Sequence, residues 1–248
     1  MAKNARFLSD NNNMTRKFAL TSIFFLLITF CLYAQGLEWG NHPYVIRGEV
    51  YVDLEPIYMG HVDYEYPLSA ETAGRRALDE SSLFFSAMIF GWSFNYTPGE
   101  RARRISESLE LTALGEITSG DPALRVTDAK IKNSQLKLWA DYQLNDSHQR
   151  RMAVWRTGTI KNAQAVGYSP VILDEYPGWI AVKKLALEDS ARAALRATLR
   201  GSEKNRPKEV TGFISLASFP RFYVEAGRWA ASCRFRIQII EIIPFASY

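Results

Sequence analysis

The stretch "SQLKLWADYQL", residues 134–144, decides the fold class because apolar and polar side chains alternate through it without a break. In an extended strand, successive side chains point to opposite faces. The apolar set therefore shares one face and consists of Leu136, Leu138, Ala140, Tyr142 and Leu144. One buried face and one solvated face are typical of an antiparallel sheet. We predict a half-buried antiparallel strand here.

Strand signals continue on both sides of this stretch, as runs of β-branched, aromatic or alternating apolar residues. The predicted strands cover residues 44–54, 60–66, 107–114, 124–131, 152–160, 209–219 and 221–242. In the last of these, Cys233, Phe235, Ile237 and Ile239 share one face. The polar segment "NDSHQRR", residues 145–151, is predicted to be a loop.

A first helix is predicted in "SAETAGRRALDESSLFFSAMIF", residues 69–90, where apolar residues recur at helical spacing. The stripe consists of Ala70, Ala73, Ala77, Ser81, Phe84, Phe85 and Met88. Ser69 is the predicted N-cap, because its hydroxyl can accept a hydrogen bond from the first turn. The charged residues Arg76, Asp79 and Glu80 lie off this stripe. We expect Asp79 and Glu80 to be solvated.

A second helix is predicted over residues 185–201. Its stripe consists of Leu187, Ala191, Ala194, Leu195, Thr198 and Leu199. Glu188 and Arg192 are spaced for an i,i+4 ion pair on this helix. Two amphipathic helices among alternating strands predict an α+β fold, with helices packed on an antiparallel sheet.

The two halves of the chain resemble each other, which suggests two related helix-plus-sheet units in tandem. The units would be residues 35–146 and 147–248. Each half contains "EYP", at residues 65–67 and 175–177, before a helix rich in Ala and Arg. The alternative is chance, because Ala, Arg and Leu are good helix formers in any helix. The repeat signal leaves both possibilities open.

The segment "MTRKFALTSIFFLLITFCLYAQG", residues 14–36, has the pattern of a secretory signal peptide. A short basic region precedes an apolar run that is shorter than the roughly 20 residues of a membrane-spanning helix. We expect translation to start at Met14 and cleavage to follow Ala34, so that residues 1–34 are removed. The alternatives are an uncleaved anchor and a chain lipidated at Cys31. The predicted location is periplasmic or otherwise exported, with membrane contact only as the precursor.

Charge and cysteine content restrict the possible partners and the type of exported protein. Residues 1–34 hold four of the 30 basic residues and one of the 26 acidic ones, so the remainder carries 26 against 25, a formal charge of +1. A chain without a strong positive field is a poor partner for nucleic acid. Cys233 is the single cysteine after cleavage, which excludes an intrachain disulfide. An exported domain without disulfides is more typical of bacteria.

The sequence contains no recognisable catalytic or cofactor-binding motif. It lacks GxSxG, GxxxxGK[ST], GxGxxG and HExxH patterns. His61, Asp63 and Glu65 would share one strand face, but a zinc or calcium site needs more ligands than this run supplies. Cys233 is interpreted as a buried core thiol. We therefore predict no metal, no cofactor and no enzymatic activity.

Three tryptophans are candidate interaction residues, namely Trp139, Trp155 and Trp179. Trp139 lies on the polar face of its predicted strand, and the other two lie in turn-rich or strand contexts. Exposed Trp side chains can stack on sugars or anchor a protein interface. The alternative is that a second layer covers them and that they belong to the core.

Parts of the chain resemble the small exported modules of flagellar accessory proteins of the outer-membrane rings and of related lipoproteins. The resemblance rests on "YVIRGEVYVDL" (44–54), "AETAGRRALDES" (70–81) and the strands up to Leu144. It covers less than half of the chain. It implies a structural or assembly role in the cell envelope rather than catalysis.

Three functions follow as hypotheses. The leading one is a non-enzymatic envelope or flagellum-associated assembly component that acts through contacts with an envelope protein partner. The second is a periplasmic ligand- or glycan-binding module that uses exposed aromatic residues. The third is an enzyme of unrecognised type. An uncovered sheet edge would favour the first, and an aromatic-lined cleft with polar groups would favour the second.

Overall fold

A computed structural model describes residues 44–56, 66–170, 178–202 and 206–245, with the side chains of residues 201 and 202 left out. All of them belong to one unit, Tyr44–Tyr248. The predicted signal peptide, its cleavage site and the His61, Asp63 and Glu65 run lie outside the described residues.

The described residues form nine strands and three helices. The strands are β1 (Val45–Asp53), β2 (Trp92–Thr97), β3 (Ser108–Ala113), β4 (Leu124–Lys132), β5 (Gln135–Gln143), β6 (Lys161–Tyr168), β7 (Glu209–Leu216), β8 (Arg221–Glu225) and β9 (Arg228–Ile243). The helices are α1 (Ala70–Ile89), α2 (Asp146–Val154) and α3 (Trp179–Ser202).

These strands form two antiparallel sheets, and the predicted α+β class is confirmed. The small sheet has the order β1-β5-β4. The large sheet has the order β3-β2-β7-β9-β6, and β8 pairs with β9 as a hairpin. Ala226 and Gly227 at the tip of that hairpin have positive φ, as its tight turn requires.

The central strand of the small sheet, β5, shows the alternation that its sequence predicts. Its four apolar residues from Leu136 to Tyr142 are buried, as is Leu144 directly after the strand, whereas its other face is partly or fully exposed. Val50 and Val52 of the neighbouring β1 are buried on the same side, opposite Leu138 and Leu136. The hydrophobic effect therefore fixes the register, because a one-residue slip would expose the whole set.

Helix α1 lies between the two sheets and contacts β1 and β5 on one side and β7 on the other. Its predicted N-cap is confirmed, since the Ser69 hydroxyl accepts a hydrogen bond from the Thr72 amide at 3.0 Å. Phe85 packs between Tyr142 of the small sheet and Phe219, which follows β7. Gly48 of β1 leaves the space that the Phe219 ring occupies. Aromatic packing thus joins the two sheets through one helix.

Helix α3 covers the large sheet through contacts with β6 and β9. It begins at Trp179, six residues before the predicted start, and Val182 in this added segment is buried. The predicted pair of Glu188 with Arg192 is replaced by an i,i+3 pair, in which Arg192 contacts Asp189 at 3.0 Å.

Two local predictions are wrong. Residues 145–151 are not a loop and residues 152–160 are not a strand, because most of both segments forms α2 and the turns after it. Asn145 caps this helix by accepting a hydrogen bond from the His148 amide at 2.9 Å. The polar cap residue and the acidic first turn are helix-start signals that favoured this outcome.

The large sheet combines strands from both sides of the boundary expected between residues 146 and 147. β2 is hydrogen-bonded to β7 from Trp92 opposite Ile214 to Tyr96 opposite Val210. The internal duplication stays a prediction.

Candidate functional site

An ion pair joins α1 to α3 inside the protein. The Glu80 carboxylate accepts a hydrogen bond from the Lys183 ammonium, and the two residues are 2% and 7% exposed. The expectation that Glu80 is solvated is therefore wrong. Glu80 is buried because α1 lies between two sheets, and this position covers residues outside the single apolar stripe. Asp79, its neighbour in the chain, is only partly exposed.

Aromatic rings surround the cations of this region. The Lys183 ammonium lies 4.9 Å from the Trp229 ring centre and 5.4 Å from that of Phe222. The Arg76 guanidinium lies 5.3 Å from the ring centre of Trp179. Such contacts stabilise a cation through the negative face of the ring. The Lys183 charge is thus compensated by one carboxylate and two rings.

The Glu80–Lys183 pair differs from an accessible acid–base group because both side chains are buried and paired. Burial raises the pKa of Glu80, and the Lys183 ammonium opposes that rise. The two charged groups are hydrogen-bonded to each other and buried within the protein. We interpret the pair as a connection between α1 and α3 that fixes their separation.

Residues next to the pair in the chain, Asp79 and Lys184, line a cleft of about 360 Å³. Successive residues on a helix point about 100° apart, which is why Glu80 meets α3 while Asp79 lines the cleft. The walls come from α1, α3, β3 with the start of β2, and residues 115–119.

Polar groups in the cleft come mostly from carboxylates and hydroxyls. Asp79, Glu116 and Glu188 contribute three carboxylates, and Lys184 contributes one ammonium. The Ser119 hydroxyl donates to Asp79 at 3.2 Å. Burial raises the pKa of Glu188, and nearby Arg192 and Lys184 oppose that rise. The lining is amphipathic, because Trp92, Leu187 and Ile117 are also part of it.

The floor of this cleft is held by hydrogen bonds from α1. The Ser86 hydroxyl donates to the Ser82 carbonyl at 2.6 Å and accepts from the Ile117 amide at 2.8 Å. The Ser82 hydroxyl is buried, in a residue that is 6% exposed, and it has no hydrogen-bond partner among the residues that the structure describes. Sequence reasoning missed these serines, since hydroxyls inside a helix are usually solvated or bonded to the preceding turn.

A second surface of interest is the outer edge of β4, which pairs only with β5 among the described strands. Val126 is 46% exposed and Ile131 is 57% exposed. Strict alternation would place these two residues on opposite faces, because they are five positions apart. A bulge at Thr127 shifts the register and brings both to the face that α1 covers farther along the sheet.

The three predicted interaction aromatics do not come together. Trp155 is 5% exposed, and its indole N–H donates to the Ile89 carbonyl at 3.3 Å, so it is a core residue and not a surface anchor. Trp139 is half-buried, and the Lys137 ammonium lies 4.6 Å from its ring centre. Trp179 is half-buried beneath Arg76. These positions form no shared aromatic platform.

The remaining candidate groups are placed as follows. Cys233 is buried on the large sheet, and burial raises the pKa of its thiol to about 12. Within the ranges that the structure describes, no three His, Cys, Asp or Glu residues are grouped as metal ligands would be. None of the helices described is both long and apolar enough to cross a membrane.

Similarity to other proteins places this chain in a family. A protein of Treponema pallidum (strain Nichols), described as an uncharacterised protein, is 28% identical over 220 residues, which cover 82% of this chain and 90% of that protein. No solved structure matches the chain. A protein-family model matches residues 40–245, a range that includes every strand and helix given above. The chain belongs to the family that this model defines.

Proposed function

We propose that this protein is an exported, non-enzymatic component of a bacterial cell envelope that acts through protein contacts. The observation that carries the proposal is the outer edge of β4, with its exposed apolar residues Val126 and Ile131. A free edge offers main-chain donors and acceptors to an added strand. The exposed apolar residues beside it supply area that such a strand would cover.

The charges along β4 indicate the chemistry of the partner. Arg125, Lys130 and Lys132 outnumber Asp128, so the strand carries a formal charge of +2. Two copies of a strand with this charge repel each other, and acidic side chains complement it. We infer that the occupant is an extended segment of another envelope protein in which apolar and acidic residues alternate.

Export and flagellar association belong to the same proposal. The signal-peptide pattern of residues 14–36 supports export. The resemblance of residues 44–54 and 70–81 to flagellar accessory modules supports an assembly role near the outer-membrane rings.

Site-specific photocrosslinking in cells tests the contact surface. A photoreactive amino acid replaces Ile131, and a matched probe replaces Lys161, an exposed residue at the start of β6. β6 is an edge strand of the large sheet and therefore a fair control for non-specific edge contacts. We expect one discrete crosslinked envelope protein from position 131 and none of that product from position 161.

Two charge substitutions test whether the β4 edge makes the contact with the partner. Ile131→Asp should reduce capture of the crosslinked partner at least fivefold by mass spectrometry, because a carboxylate repels the acidic segment and removes apolar area. Lys161→Asp should leave capture unchanged. Equal crosslinking from both positions, or no product from position 131, contradicts the proposal.

A further inference from the structure

We propose that one end of the large sheet binds the surface of an anionic phospholipid membrane. This cationic end consists of the turn at residues 101–104, of Arg206 and Lys208 before β7, and of residues 240–245 around the end of β9. The sequence predicts membrane contact only for the precursor, and the inference adds a peripheral contact made by the processed chain. It is separate from the β4 edge and does not depend on the partner proposed for that edge.

Three arginines occupy one four-residue turn between β2 and β3. Glu100 and Ile105 pair as an isolated antiparallel bridge, and between them the Arg104 amide donates to the Arg101 carbonyl at 3.1 Å. Arg101, Arg103 and Arg104 are all exposed. A guanidinium group can form two parallel hydrogen bonds to one phosphate, which makes arginine well suited to phosphate recognition. The turn therefore presents three phosphate-binding groups to its surroundings.

A second segment of the chain brings two more cations to the same end. The Arg206 guanidinium donates to the Gly99 carbonyl, next to the arginine turn. The Lys208 amide donates to the carbonyl of Ile243, the last residue of β9, at 2.8 Å. Arg206 and Lys208 are both exposed. The fold thus gathers five basic residues from two distant segments.

The carboxylates at this end already have partners. Glu100 accepts a hydrogen bond from Arg103 at 2.7 Å, and Glu209 accepts one from the Asn95 side-chain amide at 2.7 Å. Glu107 pairs with an arginine of α3. Among the residues that the structure describes, the other four cations of this end have no carboxylate partner. Their charge is available to an anionic surface.

Apolar side chains at the same end distinguish a lipid surface from a soluble polyanion. Ile240, three residues before the end of β9, is 59% exposed, more than any other large apolar side chain described. The Arg103 guanidinium lies 4.2 Å from the ring centre of Phe245. Cations next to apolar side chains are typical of surfaces that bind at the membrane interface, where phosphates and hydrocarbon are both within reach. A soluble polyanion would supply only the charge.

The attraction must be local to this end of the protein. The chain after Ala34 carries a formal charge of only +1, so its overall field is weak. Clusters of basic residues are attracted to anionic lipids within about one Debye length of the membrane. Binding should therefore depend on these particular cations and on salt.

Vesicle cosedimentation tests the inference. The protein that starts at Gln35, which contains every described residue, is mixed with vesicles of phosphatidylcholine or of about three parts phosphatidylcholine to one part phosphatidylglycerol. We expect at least tenfold higher affinity for the anionic vesicles. That affinity should fall at least fivefold between about 50 and 300 mM NaCl, because salt screens the charges.

Variants separate the cationic end from general attraction to net charge. Arg101→Gln/Arg104→Gln should weaken binding to the anionic vesicles at least fivefold. Arg150→Gln/Arg151→Gln removes two exposed arginines of α2 and should change binding less than twofold, although both double variants have the same net charge. Ile240→Ser should weaken binding at least threefold and leave its salt dependence unchanged, because the contact that it removes is apolar.

Three outcomes overturn the inference. The first is equal affinity for the two kinds of vesicle. The second is an equal loss of binding in both double variants, which would show that net charge alone matters. The third is binding of soluble polyglutamate as tight as that of the anionic vesicles, with Ile240→Ser without effect on either, which would assign the cations to an acidic protein instead.

Discussion

The carboxylate of Glu80 and the ammonium of Lys183 form a buried ion pair that connects α1 to α3. Removing two charges from water is costly, and their attraction often only balances that cost. The pair therefore contributes little net stability, although each charge depends on the other. What it does contribute is a fixed contact between two helices that line one cleft.

Removing one member of this pair should be strongly destabilising. Lys183→Met leaves the Glu80 carboxylate buried without its partner, and such changes cost about 3–5 kcal/mol of unfolding free energy. Urea denaturation followed by circular dichroism measures this difference. Glu71→Ala provides a control, because its pair with Arg75 is exposed and should contribute less than about 0.5 kcal/mol.

The double variant Glu80→Leu/Lys183→Met should recover most of the loss. Both buried charges are then replaced by apolar side chains of similar size, which is often neutral or stabilising. A double variant that is as unstable as Lys183→Met would contradict this account and would make the pair a net source of stability.

Two glycines should respond in opposite ways to alanine. A methyl group on Gly167 of β6 would overlap main-chain atoms of Asp189 and Ser190 in α3, so Gly167→Ala should cost about 3 kcal/mol. Gly74 lies in α1 with open space around it, and Gly74→Ala should stabilise by about 0.5–1 kcal/mol. Thermal unfolding of both variants measures the effect. Similar shifts for both would exclude close contact between β6 and α3.

Elements with one buried face were predictable from the sequence. In β5, every second residue from Leu136 to Tyr142 is apolar and buried. In α1, the cap at Ser69 and most of the stripe agree with the structure. In both cases the sequence records solvent on one side and protein on the other, and periodicity detects that contrast.

Features that depend on distant parts of the chain were not predictable. Burial of Glu80 requires Lys183, which is 103 positions away. The shared face of Val126 and Ile131 depends on a bulge, which periodic patterns conceal. The cleft combines α1, α3 and residues 115–119, which are far apart in the chain.

The N-terminus of the exported protein tests the predicted location. Intact-mass analysis of protein from the envelope fraction should match a chain that starts at Gln35, because a small residue at position 34 suits signal peptidase. A mass that retains residues 14–34 would indicate an anchor. A chain that starts at Cys31 with added acyl groups would indicate a lipoprotein.

The Cys233 thiol should be nearly inert in the native state. Burial raises its pKa to about 12, against a small opposing effect of the Ser190 hydroxyl, so the reactive thiolate is scarce at neutral pH. For protein starting at Gln35, Ellman's reagent should react at least about a hundredfold more slowly in buffer than in denaturant. Fast reaction of folded protein would show that the large sheet opens at this position.

Glu107 should make stability depend on acid pH. Its carboxylate accepts hydrogen bonds from Arg196 at 3.0 Å and from the Tyr96 hydroxyl at 2.5 Å, and so joins α3 to β2. Burial raises the pKa of Glu107, but hydrogen bonds from Arg196 and Tyr96 outweigh it and leave the pKa below the ordinary value of 4.5.

The direction of this pH dependence follows from proton binding to Glu107 in the folded and unfolded chains. Because the unfolded chain takes up the Glu107 proton at a higher pH than the folded one, the stabilisation is complete above the ordinary pKa and is lost as pH falls below it. Glu107→Gln should therefore cost about 1–3 kcal/mol at neutral pH. Urea unfolding should show this difference from the unmodified protein shrinking between about pH 5 and pH 3. A difference that stays constant, or grows in acid, would show that the charge of Glu107 is not what holds Arg196 and Tyr96 in place.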